Sequence, residues 1–149
     1  KKPNCLISVS KNDFPPFNAY LLDKKMQLNF CFQKSKYKTM KRRELSIQIS
    51  PRRKIACEEY SKGDRSKSSK FIAIHGWLDN CATWRNFVPD FIEKMGNDAT
   101  FLCIDLAGHG NSSHRDSRTY LLTDYVIDVY RVVQTLGWKR FGLVGRTSL

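Results

Sequence analysis

The sequence predicts an α/β fold, a mostly parallel sheet with flanking helices, and three observations carry that expectation. Three short apolar runs, Phe71–His75, Ala99–Leu106 and Phe141–Val144, have the continuous hydrophobic character of strands covered on both faces. Two segments with apolar residues at helical spacing lie between them. Strand, helix, strand, helix, strand in that order requires parallel strands joined by right-handed crossovers.

The elements follow in chain order. Residues 1–39 show no sustained period: Leu28–Phe32 is a brief apolar patch, Pro15-Pro16 breaks any helix, and lysines interrupt the rest. From Met40 the pattern becomes regular. "ELSIQIS" alternates Leu45, Ile47 and Ile49 with polar residues, a half-buried strand, and "RKIACEEY" is its expected neighbour. Ser61–Lys70 is a polar turn. After Phe71–His75, "GWLDNCAT" reads as loop. "WRNFVPDFIEKMG" then aligns Trp84, Phe87/Val88, Phe91/Ile92 and Met95 on one helical stripe, with Pro89 marking a kink or early turn and Gly96 the stop. "AGHGNSSHRDS" is a second loop. Tyr120–Leu136 is a helix whose stripe is Leu122, Tyr125/Val126, Val129, Val132/Val133 and Leu136, ended by Gly137, with Asp124, Asp128 and Arg131 on other faces.

Composition bounds the function. A chain of 149 residues has the length of one domain, and 41% hydrophobic residues allow a packed core. The formal net charge of +12 is uneven: residues 1–40 carry +6, residues 41–70 another +6, and the remainder zero. The basicity therefore says nothing about the second half. Cys5, Cys31, Cys57, Cys81 and Cys103 are scattered and odd in number, without the spacing of a disulfide scaffold or a zinc site, which favours a reducing, cytoplasmic setting. Cys103, inside an apolar run, reads as a small core residue. No run of roughly 18 apolar residues is present, so no membrane span is expected.

In a parallel sheet of this kind ligands sit at the carboxyl ends of the strands. "HGWLDN", "DLAGHGNS" and "GRTSL" all fall there. His75-Gly76 brings backbone close to the sheet edge and aims the Trp77 amide over it; a fixed N–H there can stabilise an oxyanion. The plainer reading of His75-Gly76 is a strand-to-loop turn. Asp105 can cap the amides of the tight turn containing Gly108, His109, Gly110 and Ser112. For His109, a locally hydrogen-bonded loop histidine outweighs a catalytic base.

Together, "HGWLDN", "CIDLAGHGNSSH" and "VVQTLGWKRFGLVG", in that order, resemble the α/β-hydrolase superfamily, and most of all its serine hydrolase-like proteins, over Phe71–Gly145, 75 of the 149 residues. The resemblance implies the N-terminal half of an α/β-hydrolase fold. It implies that the Trp77 amide is one of two oxyanion-hole donors and that His75 and Gly76 shape its loop. Asp105, Gly108, His109, Gly110 and Ser112 would be structural around the pocket floor. The family's G-x-S-x-G elbow holds its nucleophile on a strained strand-to-helix turn, followed in the chain by the acid and then the histidine. Counted from Gly145, the nucleophile position is Thr147, and Leu149 replaces the second glycine. No acid or histidine follows. His75, His109 and His114 precede the elbow and are poor substitutes. The expectation is a serine hydrolase-like hydrolase of ester-like or other small acyl substrates in its complete form, and a chain that alone lacks catalysis. Residues 1–39 are expected to be non-native upstream sequence, with Met40 the start of a partial hydrolase domain over residues 40–149.

Trp77, Leu78 and Trp84 are candidates to line an acyl pocket, Trp84 being equally a core anchor. No metal or cofactor is expected, since "GHGNSS" is a poor match to a phosphate-cradling loop. Two other classes compete. One is a basic binding module built on Lys34–Lys54, against which stands the absence of any nucleic-acid fold signature. The other is a non-catalytic pseudo-hydrolase that binds through the open strand edge at Phe141–Val144.

Overall fold

The computed structural model describes the backbone of residues 5–8 and residues 40–95, 98–116 and 119–146. The strands are β1 (Cys5–Ser8), β2 (Lys41–Ser50), β3 (Arg53–Lys62), β4 (Ser69–Ile74), β5 (Ala99–Ile104) and β6 (Gly142–Arg146), with helices α1 (Phe87–Met95) and α2 (Leu122–Leu136). They form one sheet in the order β1-β6-β4-β5-β3-β2. β4 pairs in parallel with β5 (Phe71 opposite Phe101) and with β6 (Phe71 opposite Gly142). β3 runs antiparallel to β5, and β2 antiparallel to β3. The predicted parallel unit is therefore present, extended by an antiparallel β2–β3 hairpin.

The two faces of the sheet carry two cores. On one, Tyr60, Phe71, Ala73, Phe101, Cys103 and Val144 pack under Trp84, Val88 and Ile92. On the other, Ile47, Ile55, Ile72, Leu102 and Ile104 pack under Val132 and Val133. Every residue of β5 is buried, as the apolar run requires. Phe71 stacks on Phe101 with centroids 4.5 Å apart, and Gly142 is needed beside them, since a Cβ there would lie 2.8 Å from the Phe71 ring.

Three local expectations change. The first helix starts at Phe87 rather than Trp84, because Cys81–Trp84 forms a separate 3-10 turn capped by the Asn80 side chain, which accepts from the Ala82 amide. Pro89 falls in the first turn of α1, where its missing N–H has no intrahelical partner to lose. Gly96, the expected stop, lies outside the described residues. α2 ends as expected at Gly137 in left-handed conformation (φ 66°), but its buried face is rotated. Leu122 and Val126 are 80% and 63% exposed, whereas Asp128 is 2% exposed. Asp128 is held there by two guanidinium groups, Arg53 at 2.9 Å and Arg115 at 2.6 Å. Finally, β1 places a strand inside the segment expected to be irregular, pairing Cys5–Ser8 antiparallel with Leu143–Arg146. Four residues are too few to show a period, and the backbone of β6 supplies the pairing. Residues 1–4 and 9–39 lie outside the described residues, as do Thr147, Ser148 and Leu149.

Arg42 and Arg43, just after Met40, are taken up by the fold. Buried Glu58 takes Arg42 (3.1 Å) and Arg85, and buried Glu59 takes Arg43 (2.9 Å) and Arg65. The Tyr60 hydroxyl donates to Glu58 at 2.7 Å. Burial pushes the Glu58 carboxyl up, but Arg85, Tyr60 and Arg42 together hold it below the usual carboxylate range.

Two outcomes follow for stability. Ile92→Ala, at a fully buried site, should cost about 2–5 kcal/mol in urea denaturation, while Val126→Ser on the exposed stripe should stay within about 0.5 kcal/mol. A Glu58 carboxyl depressed in the fold contributes stability above its unfolded value of about 4.3 and loses it as pH falls through the folded value. Glu58→Gln should therefore lower stability at neutral pH and flatten the loss below about pH 4.5, measured by denaturation midpoints across pH.

Candidate functional site at the carboxyl ends of the parallel strands

Because β4, β5 and β6 are parallel, their carboxyl ends lie at one edge of the sheet. The loops there, residues 75–84 after β4 and 105–116 after β5, are tied together by reciprocal hydrogen bonds. The His75 ring, 3% exposed, accepts the Leu106 amide at Nε2 (3.0 Å) and donates from Nδ1 to the Gly76 carbonyl (2.7 Å). One partner is a pure donor and the other a pure acceptor, so the imidazole is the neutral Nδ1–H tautomer. Burial and the nearby His109 push His75 below the ordinary histidine range, against the opposing pull of the Gly76 carbonyl.

Asp105 makes the return tie. Its buried carboxylate accepts the Cys81 amide at Oδ1 (2.6 Å) and the Asn111 amide at Oδ2 (2.9 Å). Ser112 Oγ donates to the Asp105 carbonyl (2.6 Å) and accepts the Ala56 amide (2.8 Å), anchoring the turn to β3. Gly108 and Gly110 have φ of 79° and 50°, and a Cβ on Gly110 would lie 2.1 Å from Asp105 Oδ2. His109 donates from Nδ1 to the Ala107 carbonyl at 3.2 Å, and its ring lies 5.0 Å from His75 and 6.2 Å from Trp77. Trp77 and Leu78 are 67% and 81% exposed, and Leu78 adopts the left-handed φ of 56° that non-glycine residues rarely take. Trp84 points elsewhere, into the core against Phe87. The loop after β4 is also joined to β6: Arg146 donates to the Thr83 hydroxyl and lies 3.7 Å from Asp79.

The structure thus brings His75, Gly76, Trp77, Asp105, Gly108, His109, Gly110 and Ser112 to one edge, with Gly145 at the end of β6. Thr147 lies outside the described residues. The contacts of Asp79, the Cys81 amide and Arg146 were not legible in the sequence, because each joins residues more than twenty positions apart. Among the cysteines, burial keeps Cys57, Cys81 and Cys103 as thiols, Cys81 pushed up to about 12 with Asp105 adding to the effect.

A family model described as alpha/beta hydrolase fold matches residues 71–146, the segment that builds this edge. The chain belongs to that family. Among its relatives, the serine hydrolase-like protein of Danio rerio is 46% identical over 77 residues, 51% of this chain and 22% of the relative. A serine hydrolase-like protein of Dictyostelium discoideum is 37% identical over 105 residues, 70% of this chain and 28% of that one. The chain thus spans less than a third of the length of either. The crystal structure of a hypothetical protein from Pseudomonas aeruginosa superposes with a TM-score of 0.57 at 36% identity, over 68% of this chain and 33% of that one. A thioesterase domain from the curacin biosynthetic pathway superposes with a TM-score of 0.58 at 22% identity over 70% of this chain and 35% of that one, which shows the shared fold.

Gly110→Ala tests the turn. Its Cβ would meet the carboxylate that holds the Asn111 amide, at a left-handed φ. We expect about 1–3 kcal/mol of destabilisation in denaturant and faster hydrogen exchange at the Asn111 and Cys81 amides.

Proposed function

We propose that this chain is the N-terminal part of a serine hydrolase-like α/β-hydrolase, which in its complete form hydrolyses ester-like or other small acyl substrates. The observation that supports this most is the doubly tied loop after β4, which carries Trp77 and is joined through Thr83 to Arg146 of β6. In such an enzyme a serine, activated by histidine and oriented by an acid, attacks the acyl carbon, and preorganised amides hold the developing oxyanion. Trp77 would supply one of those amides. Trp77 and Leu78 offer apolar surface to an acyl group. Thr147 stands where the family places its serine, so the chain by itself is proposed to be inactive.

The ion pairs of Arg42, Arg43 and Arg53 favour this reading over a basic binding module, since three cations of that stretch hold buried carboxylates. Among the described residues no helix is long and apolar enough to cross a membrane.

The test uses the endogenous protein captured with an antibody to Trp77–His114. A species well above 17.3 kDa that reacts with a fluorophosphonate is expected, while the 149-residue chain alone should not be labelled. An endogenous species of 17.3 kDa that resists the probe would overturn the hydrolase reading. In the longer protein, Trp77→Pro removes one N–H and should lower kcat for p-nitrophenyl esters by about 10²–10³-fold.

A further inference from the structure

The sequence assigns His75 only to the shape of a turn, yet its contacts reach further. Its ring bridges the loop after β4 to the backbone of Leu106, while Asp105 bridges in the opposite direction to the Cys81 amide. The residues between those two ties, Gly76 to Asn80, include Trp77. We propose that His75 is a positioning residue: as a neutral imidazole it latches the Trp77 loop to the Asp105 turn, so that gain of a second ring proton releases the latch. This rests on the hydrolase reading for its consequence in catalysis, but the latch itself is a property of the chain.

The chemistry requires the coupling. Nε2 accepts the Leu106 N–H only while it keeps its lone pair. A proton there places two donors face to face, and the Leu106 amide and the ring must separate. The ionisable groups facing the imidazole are His109, which opposes its protonation, and Asp105 and Asp79, which favour it. Asp105 is already committed to the Cys81 and Asn111 amides. A protonated His75 therefore competes for a carboxylate that holds the other tie, and both ties loosen together. Folding carries the same sign: a histidine held neutral leaves stability intact above its unfolded value of about 6.5 and withdraws it as pH falls toward the folded value.

The experiment is side-chain and amide ¹⁵N NMR on the 149-residue chain, titrated downward from neutral pH. The expected result is a His75 ring with an unprotonated Nε2 at pH about 6.5, where an ordinary histidine is half charged. The Leu106 and Trp77 amides should then shift with one shared midpoint as the ring takes up its proton. His75→Phe, which keeps a ring without the acceptor, should speed hydrogen exchange at both amides by about tenfold or more, and His75→Gln, whose Oε1 reaches the Nε2 position, should restore most of that protection. If the Phe variant does not fold, the titration of the unsubstituted chain decides alone. A ring that titrates while the Trp77 amide stays fixed, or His75→Phe altering Leu106 but not Trp77, overturns the latch. Failure of the hydrolase reading would appear instead in the fluorophosphonate labelling and would leave these amide signals unchanged.

Discussion

The structure depends on the placement of β4 between two parallel neighbours. β4 is short, yet Ile72 and Ala73 are wholly buried because one side chain enters each core. Pairing with β5 on one side and β6 on the other brings the carboxyl ends of all three strands, and the loops after β4 and β5, to the same edge. Once that is set, the Leu106 amide comes within reach of His75 and the Cys81 amide within reach of Asp105. The site is thus a consequence of strand direction before it is a consequence of any catalytic residue.

Charge follows a different logic from the one its distribution suggests. The first 70 residues are strongly basic, but Glu58 and Glu59 lie buried on opposite faces of β3 and recruit Arg42 and Arg85 to one, Arg43 and Arg65 to the other. Buried carboxylates are costly unless paired and hydrogen-bonded, and each has a multiple set of donors. These pairs draw on cations from β2 and from two loops, so they fix how the antiparallel hairpin sits on the parallel unit. Asp128 does the same for α2, joining it to Arg53 of β3 and to Arg115 of the loop after β5.

The parallel unit was legible because its strands are continuous apolar runs and its helices keep a clean period. β2 was legible for a different reason, the alternation of Leu45, Ile47 and Ile49 with polar residues, and β3 as its neighbour. The orientation of α2 was not. Apolar spacing marks a helix but cannot say which side meets the sheet, and here Asp128 sits inward because its two arginines come from far along the chain. Of the capped turn at Cys81–Trp84, the first three residues read as loop, and Trp84 was drawn into the helix because its spacing matches the stripe of Phe87 and Phe91. At the candidate site, the residue types and their order pointed to the family, whereas the ties His75 to Leu106 and Asp105 to Cys81 span 31 and 24 residues and belong to tertiary structure alone.

The strand order also has a meaning in time. Phe71 of β4 pairs with Gly142 of β6, so about 70 residues must be synthesised before that edge of β4 gains its partner. At ribosomal rates of about 5–20 residues per second, the wait is roughly 4–14 seconds. The β2–β3 hairpin and the β4–β5 pair can form earlier, since their strands lie closer in the chain. During that interval the nascent chain presents Ile72 and Ala73 along an open backbone edge. Until β6 arrives, that edge is a template on which another chain could pair.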